Sequence, residues 1–190
     1  MSFNKTLKPH RNFDPHKVVS EFATDFLAEA GKLVKVSVND PDNDVFYTEQ
    51  KVGADYADIF NDRWGTPKRV TLAGAGDPAG SILGITLEGT AEYDNHGNKI
   101  LGFNERWAKD NGVVPSGRPA QIVTEGNFWI GVEAVNGTPA PGSGLVAGAN
   151  GTFTVVDPSV AGYASSGLLV GKCLSTTGSR QGDFNFLLTL

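Results

Sequence analysis

The chain has 190 residues, with 24 glycines, 10 prolines, one cysteine and a formal charge of −5. A lone Cys173 excludes an intramolecular disulfide, and a chain of this length buries roughly 70 % of its unfolded surface without a staple. No apolar run approaches the roughly 18 residues of a membrane helix, and the opening "MSFNKTLKPHRNFDPHK" lacks the apolar core of a signal peptide. Glycine and proline make up about 18 % of the chain against an ordinary ~12 %. That is the punctuation of an all-β chain with many turns. Charge is divided unevenly. Residues 1–17 carry Lys5, Lys8, Arg11 and Lys17 against Asp14, which leaves +3 there and −8 over the rest. A basic arm thus precedes an acidic body. It suits an acidic neighbour, another copy of this chain included, better than nucleic acid, whose phosphates the body repels.

In chain order, residues 1–16 read as an extended arm. "HKVVSEFATDFLAEAGK" fits either a helix, with Val18, Phe22, Phe26 and Ala30 four apart, or a short strand at "KVVSEF". "KLVKVSV" reads as a strand with Val34, Val36 and Val38 on one face, "NDPDND" as a turn and "VFYTEQKV" as a further strand. Residues 53–69 read as an irregular insert with one helical turn at 56–60. Val70 and Leu72 open a strand, Gly74 to Gly80 form a turn, and Ile82 to Leu87 form the next strand. A second irregular insert spans 94–114. Gln121–Thr124 and Phe128–Ala134 read as strands around a tight "EGN" turn, and "ANGT" as a hairpin turn between apolar runs. "FNFLLTL" ends the chain as a strand that must pair inside a sheet, since a free apolar strand invites aggregation. About ten short strands in one 17–190 domain predict a β-barrel or β-sandwich.

Chemical motifs fail on context. His10, His16 and His96 lie in the arm and in a turn, without the spacing that holds zinc. "GAGDPAG" resembles a phosphate loop, but a β-type run follows it rather than a helix. "DPDND" resembles the start of a calcium loop, but Val45 stands where glycine is needed and Lys51 where a bidentate Glu is needed. Cys173 lies in an apolar phrase and reads as a small buried filler. The expectation is a non-enzyme with no catalytic residue, cofactor or metal.

One phrase is written twice. "GSILGITLEGT" (80–90) and "GLLVGKCLSTT" (167–177) align without a gap at an offset of 87, matching Gly80 to Gly167, Gly84 to Gly171, Leu87 to Leu174 and Thr90 to Thr177. Read as scaffold, both copies are strands, their glycines sit where a Cβ would clash, and Leu87 and Leu174 reach the core.

"SILGITLEGTA", "VPSGRPAQIVTEGNFWIGVEA", "LVAGANGTFTVV" and "LLVGKCLSTTGSRQGDFNFLLTL" together resemble the head decoration, or structural cement, proteins of tailed bacteriophages. "HKVVSEFATDFLAEAGKLVKVSV" is similar to the family's opening strand–loop–strand, which favours strand over helix for Lys17 to Phe22. The insert "HGNKILGFNERWAKDNGVV" exceeds the family's minimal pattern. The resemblance implies a β-tulip-like fold and a non-enzymatic role. Such a protein is made in the bacterial cytoplasm, binds the outer surface of the expanded head, commonly as a homotrimer, and locks major capsid protein subunits together, with no nucleic acid or membrane partner. Candidate contacts are Lys5, Leu7, Lys8, His10, Arg11 and Phe13 of the arm, with Trp64 and Trp107 as aromatic anchors of the irregular segments. The alternatives are another phage structural piece (tail tube, head fibre or tail knob) and a β-sandwich carbohydrate-binding module.

Overall fold

The computed structural model describes residues 7–9, 17–20, 22–24, 26–37, 68–91, 113–115, 120–131, 134–157, 159, 167–176 and 183–190. Fifteen strands run through them: β1 (Leu7–Pro9), β2 (Val18–Val19), β3 (Phe22–Thr24), β4 (Leu33–Val36), β5 (Lys68–Leu72), β6 (Ile82–Thr86), β7 (Gly89–Ala91), β8 (Val113–Pro115), β9 (Ile122–Val123), β10 (Glu125–Gly131), β11 (Val135–Asn136), β12 (Gly144–Ala147), β13 (Phe153–Val156), β14 (Leu169–Cys173) and β15 (Asp183–Thr189). The all-β expectation holds. The count exceeds ten because strands of two or three residues leave no alternating pattern to read. Between Lys17 and Phe22 the described residues hold strand at Val18–Val19 and at Phe22, where β3 begins. Lys68–Arg69 and Val113–Val114, assigned to the inserts, belong to β5 and β8. The remainder of both inserts and "VFYTEQKV" lie outside the described residues.

Two sheets hold all but two of the strands. The larger runs β1-β10-β15-β14-β12-β13-β11 and the smaller β2-β9-β6-β4-β5-β3, while β7 and β8 pair separately. Apart from β1, the two sheets are the same construction. Strands β2, β3, β4, β5, β6 and β9 correspond, in chain order and in neighbours, to β10, β11, β12, β13, β14 and β15. In both sets the second and fourth strands pair in parallel and the other pairs are antiparallel. The doubled phrase is the clearest trace of this repeat: β6 and β14 have identical bounds at the offset of 87.

The repeat extends to single atoms. Val34 opposes Gly84 just before a bulge in the first unit, and Leu145 opposes Gly171 just before a bulge in the second. A Cβ on Gly84 would lie 2.3 Å from the Val123 carbonyl oxygen, and one on Gly171 would lie 2.5 Å from that of Leu187, its counterpart. Gly31 donates to Thr86 O at 2.7 Å and Gly142 to Cys173 O at 2.9 Å. Both take the left-handed conformation, φ 91° and 90°, that glycine adopts without a Cβ penalty. Leu87 N bonds Gln121 O as Leu174 N bonds Asn185 O.

The units stack front to back. The front of the second unit presents Phe128, Leu145, Phe153, Phe184, Phe186 and Leu188. Against it packs the back of the first unit, Leu33, Ile82, Ile85 and Val123. The front of the first unit, Phe22, Val34, Val70 and Ile122, forms a smaller buried cluster of its own. Alternate side chains of one strand therefore enter different cores, as Leu33 and Val34 do, because successive residues point to opposite faces. Val36 lies on the same face as Val34, opposite Val70 as Val34 lies opposite Leu72, but at the end of β4, where it is 51 % exposed. The bulge beside Val34 lies on β6, at Leu83.

Two further expectations fail. "EGN" is not a hairpin turn: Glu125–Asn127 lie within β10, and the chain crosses from one sheet to the other at Thr124, whose N–H bonds Lys17 O at 3.0 Å. Leu174 is 42 % exposed, and Leu87 is only half-buried against the main core. Each follows its strand on the back of its unit. The first unit's back is covered by the second unit, whereas no described layer follows behind the second.

The remaining turns match their chemistry. Asn150 takes φ 54° in the β12–β13 hairpin, a conformation that asparagine tolerates. In the "GAGDPAG" turn, Asp77 accepts from Gly74 N–H at 2.7 Å and pairs with Lys35 at 2.9 Å. The hydrogen bond from Lys35 and that from Gly74 hold its carboxyl below the usual range. The turn is closed by its own aspartate and lysine, as scaffold. β15 lies inside its sheet between β10 and β14, as an apolar terminal strand requires.

Candidate interaction surface

Strand β10 has two faces and one borrowed edge. Phe128 and Ile130 point into the core and are fully buried, while Asn127 and Trp129 lie on the back and are half-buried. On neighbouring β15, Phe184, Phe186 and Leu188 point inward, and Asn185 and Leu187 outward. Register places Trp129 beside Asn185, and Leu187 between Asn127 and the exposed Lys172. With Leu187 37 % exposed and Leu174 beyond it, this back face is a mixed patch of aromatic, amide, aliphatic and cationic side chains.

Two amide oxygens there are under-satisfied. Asn127 Oδ1 and Asn185 Oδ1 are shut off from solvent and find no hydrogen-bond partner among the described residues. A buried acceptor left unpaired costs about 1–3 kcal/mol. In the first unit the corresponding positions are Val18 and Gln121, and that back face is already docked on the second unit. The same sheet surface is thus an interface in one unit, while in the other Leu187 and Leu174 stay exposed.

The free edge of β10 carries β1. Leu7 pairs with Ile130, Lys8 with Trp129 and Pro9 with Phe128, antiparallel. Of the predicted contact residues, Leu7 and Lys8 therefore lie on the outermost strand of the larger sheet. Lys5, His10, Arg11, Phe13, Trp64 and Trp107 lie outside the described residues. The back-face residues Asn127, Trp129, Asn185, Leu187 and Leu174 were not singled out as contacts from sequence. The alternation in "NFW" and "FNFLLTL" marks which side chains share a face. It does not say which face the rest of the molecule covers.

Cys173 sits in the main core at 1 % exposure, and burial pushes its thiol up to about 11. Since the thiolate is the reactive form, maleimide at pH 7 should label the folded chain at least 100-fold more slowly than the urea-unfolded chain. Equal rates would place this thiol at the surface. Among the described residues no group of three or more His, Cys, Asp or Glu could hold a metal ion, and no helix is long and apolar enough to cross a membrane.

These features define an all-β protein of two stacked, repeated sheet units with an open back face and an added edge strand. No family model and no curated protein matches the chain. Among solved structures it is similar to the N base of the head fibre gp8.5 of bacteriophage phi29, at 10 % identity and a TM-score of 0.41, over 90 % of this chain and 94 % of that one.

Proposed function

We propose that this chain is a structural protein of a bacteriophage virion and, within that class, a decoration protein that binds the outer surface of the expanded head and holds major capsid protein subunits together. The observation that carries the reading is the resemblance of four quoted phrases to head decoration proteins. Their described parts include β6 and β9 of the smaller sheet, β10, β12, β13, β14 and β15 of the larger, and β7 with part of β8. The role asks for binding rather than chemistry. A protein that binds only the assembled lattice stabilises it by mass action, and a homotrimer multiplies weak contacts through effective concentration. A persistent contact needs roughly 1,000 Å² or more of buried surface. The arm residues Lys5, Leu7, Lys8, His10, Arg11 and Phe13, the tryptophans Trp64 and Trp107, and the back face around Trp129 and Leu187 are the surfaces proposed to provide it.

Co-sedimentation with emptied, expanded heads tests the reading. The full chain should bind saturably, and removal of residues 2–13 should weaken binding at least 10-fold with an unchanged far-UV spectrum. Unaltered affinity after that removal would sink the arm assignment. A chain that ignores heads and instead forms tubes, or binds oligosaccharides at micromolar concentration, would sink the decoration reading itself.

A further inference from the structure

We infer that β1 is an exchange strand, which leaves its own β10 and pairs with the β10 edge of a second copy of this chain. Three observations point there. First, β1 stands outside the repeat. The other six strands of its sheet each have a counterpart in the smaller sheet, and β1 has none among the described residues. Among the described residues the smaller sheet is the six-strand unit alone, so β1 is an addition to the frame.

Second, the tether is longer than its path. Pro9 sits opposite Phe128, and Lys17 O accepts from Thr124 N–H, four positions further back along the same chain. At ~3.3 Å per residue that path is about 13 Å. The eight residue steps from Pro9 to Lys17 can span up to about 26–29 Å. The surplus lets β1 reach a neighbouring molecule while Lys17 keeps its place, held by that backbone bond and by its 3.1 Å ion pair with Glu125.

Third, the attachment is small and the charges are complementary. Only three residue pairs join β1 to β10, whereas β15 pairs with all seven residues of β10. A segment of +3 leaves a body of −8, and any second copy offers the same acidic body. Exchange keeps every β1–β10 contact and changes only whose strand makes it, so the two forms differ little in contact energy. Concentration decides between them. A short flexible tether acts as an effective concentration in the millimolar range, so crowded copies favour exchange and dilution reverses it. The inference rests on chain geometry and charge and needs no capsid.

The register supplies the test. Lys8 and Trp129 are directly opposed, with Cα atoms at the ~4.5–5.5 Å separation that a disulfide spans. One tagged chain carries Lys8→Cys and a differently tagged chain Trp129→Cys, both in a Cys173→Ala background. They are refolded together at about 1 mM, oxidised, and resolved by mass under denaturing, non-reducing conditions. Exchange predicts that the mixed disulfide outnumbers either like-with-like disulfide at least 5-fold, and that it does not form when the same chains are equilibrated at about 1 µM before oxidation. A mixed disulfide no more frequent than the like pairs overturns the proposal. Light scattering on the otherwise unaltered chain, refolded at the same concentration, covers failure of Trp129→Cys to fold. A multimer that becomes a monomer when residues 2–9 are removed supports exchange. A monomer, or a multimer that survives the removal, overturns it.

Discussion

Replacing Gly84 or Gly171 by alanine should cost about 3 kcal/mol or more in urea denaturation, and the two variants should lose similar amounts. Each added methyl would fall within 2.5 Å of a carbonyl oxygen on the adjacent strand. That oxygen belongs to backbone, Val123 in one unit and Leu187 in the other, and cannot swing aside as the end of a lysine would. Relief requires β6 to part from β9, or β14 from β15, which forfeits ladder hydrogen bonds and opens a packed sheet. Overpacking a core commonly costs 1–3 kcal/mol, and a clash with backbone lies at or beyond the upper end. Gly80→Ala is the control. It lies in the same phrase, but nothing is within 4 Å of its Cβ position, so its cost should stay within about 0.5 kcal/mol. A mild Gly171→Ala beside a severe Gly84→Ala would show that the two units are not energetically equivalent.

Phe186→Ala should be as damaging, at about 3–5 kcal/mol. Phe186 lies on β15, with ring centroids 5.2 Å from Phe153, 5.9 Å from Phe128 and 6.0 Å from Phe184. These rings come from three strands of the larger sheet and face the back of the first unit. Truncation leaves a cavity where the two layers meet, and the surrounding strands are held in register on both sides and cannot collapse into it. Leu187→Ala, one residue along the same strand but on the open back, should cost less than about 1 kcal/mol. Comparable losses at the two positions would mean that the back face is covered in the folded chain.

Leu87 and Leu174 are equivalent in the sequence but not in their surroundings. The phrase match set both on the same backbone position, and the structure keeps that equivalence down to the hydrogen bond each N–H makes. Their environments still differ, because burial depends on what lies behind a sheet and the local phrase carries no information about that. The arm is a similar case. Its charge and extended character were readable, but its pairing with Ile130, Trp129 and Phe128 joins residues over 100 positions apart. "EGN" misled because glycine suggests a turn, yet Gly126 sits within an extended strand paired with Leu188.

Local features were readable from the residues: an all-β chain, punctuated by glycine and proline, with a lone apolar cysteine, a basic arm and one phrase repeated 87 residues on. That the repeated phrase belongs to a six-strand unit made twice, that the units stack front to back, and that Leu187 and Leu174 stay exposed behind the second unit came from the folded chain. The physical reason is that strand pairing and layer order are set by contacts between residues far apart in the chain. Alternation along a strand specifies two faces but not their neighbours. The same fold position therefore buries Val123 completely and leaves its counterpart Leu187 partly in water.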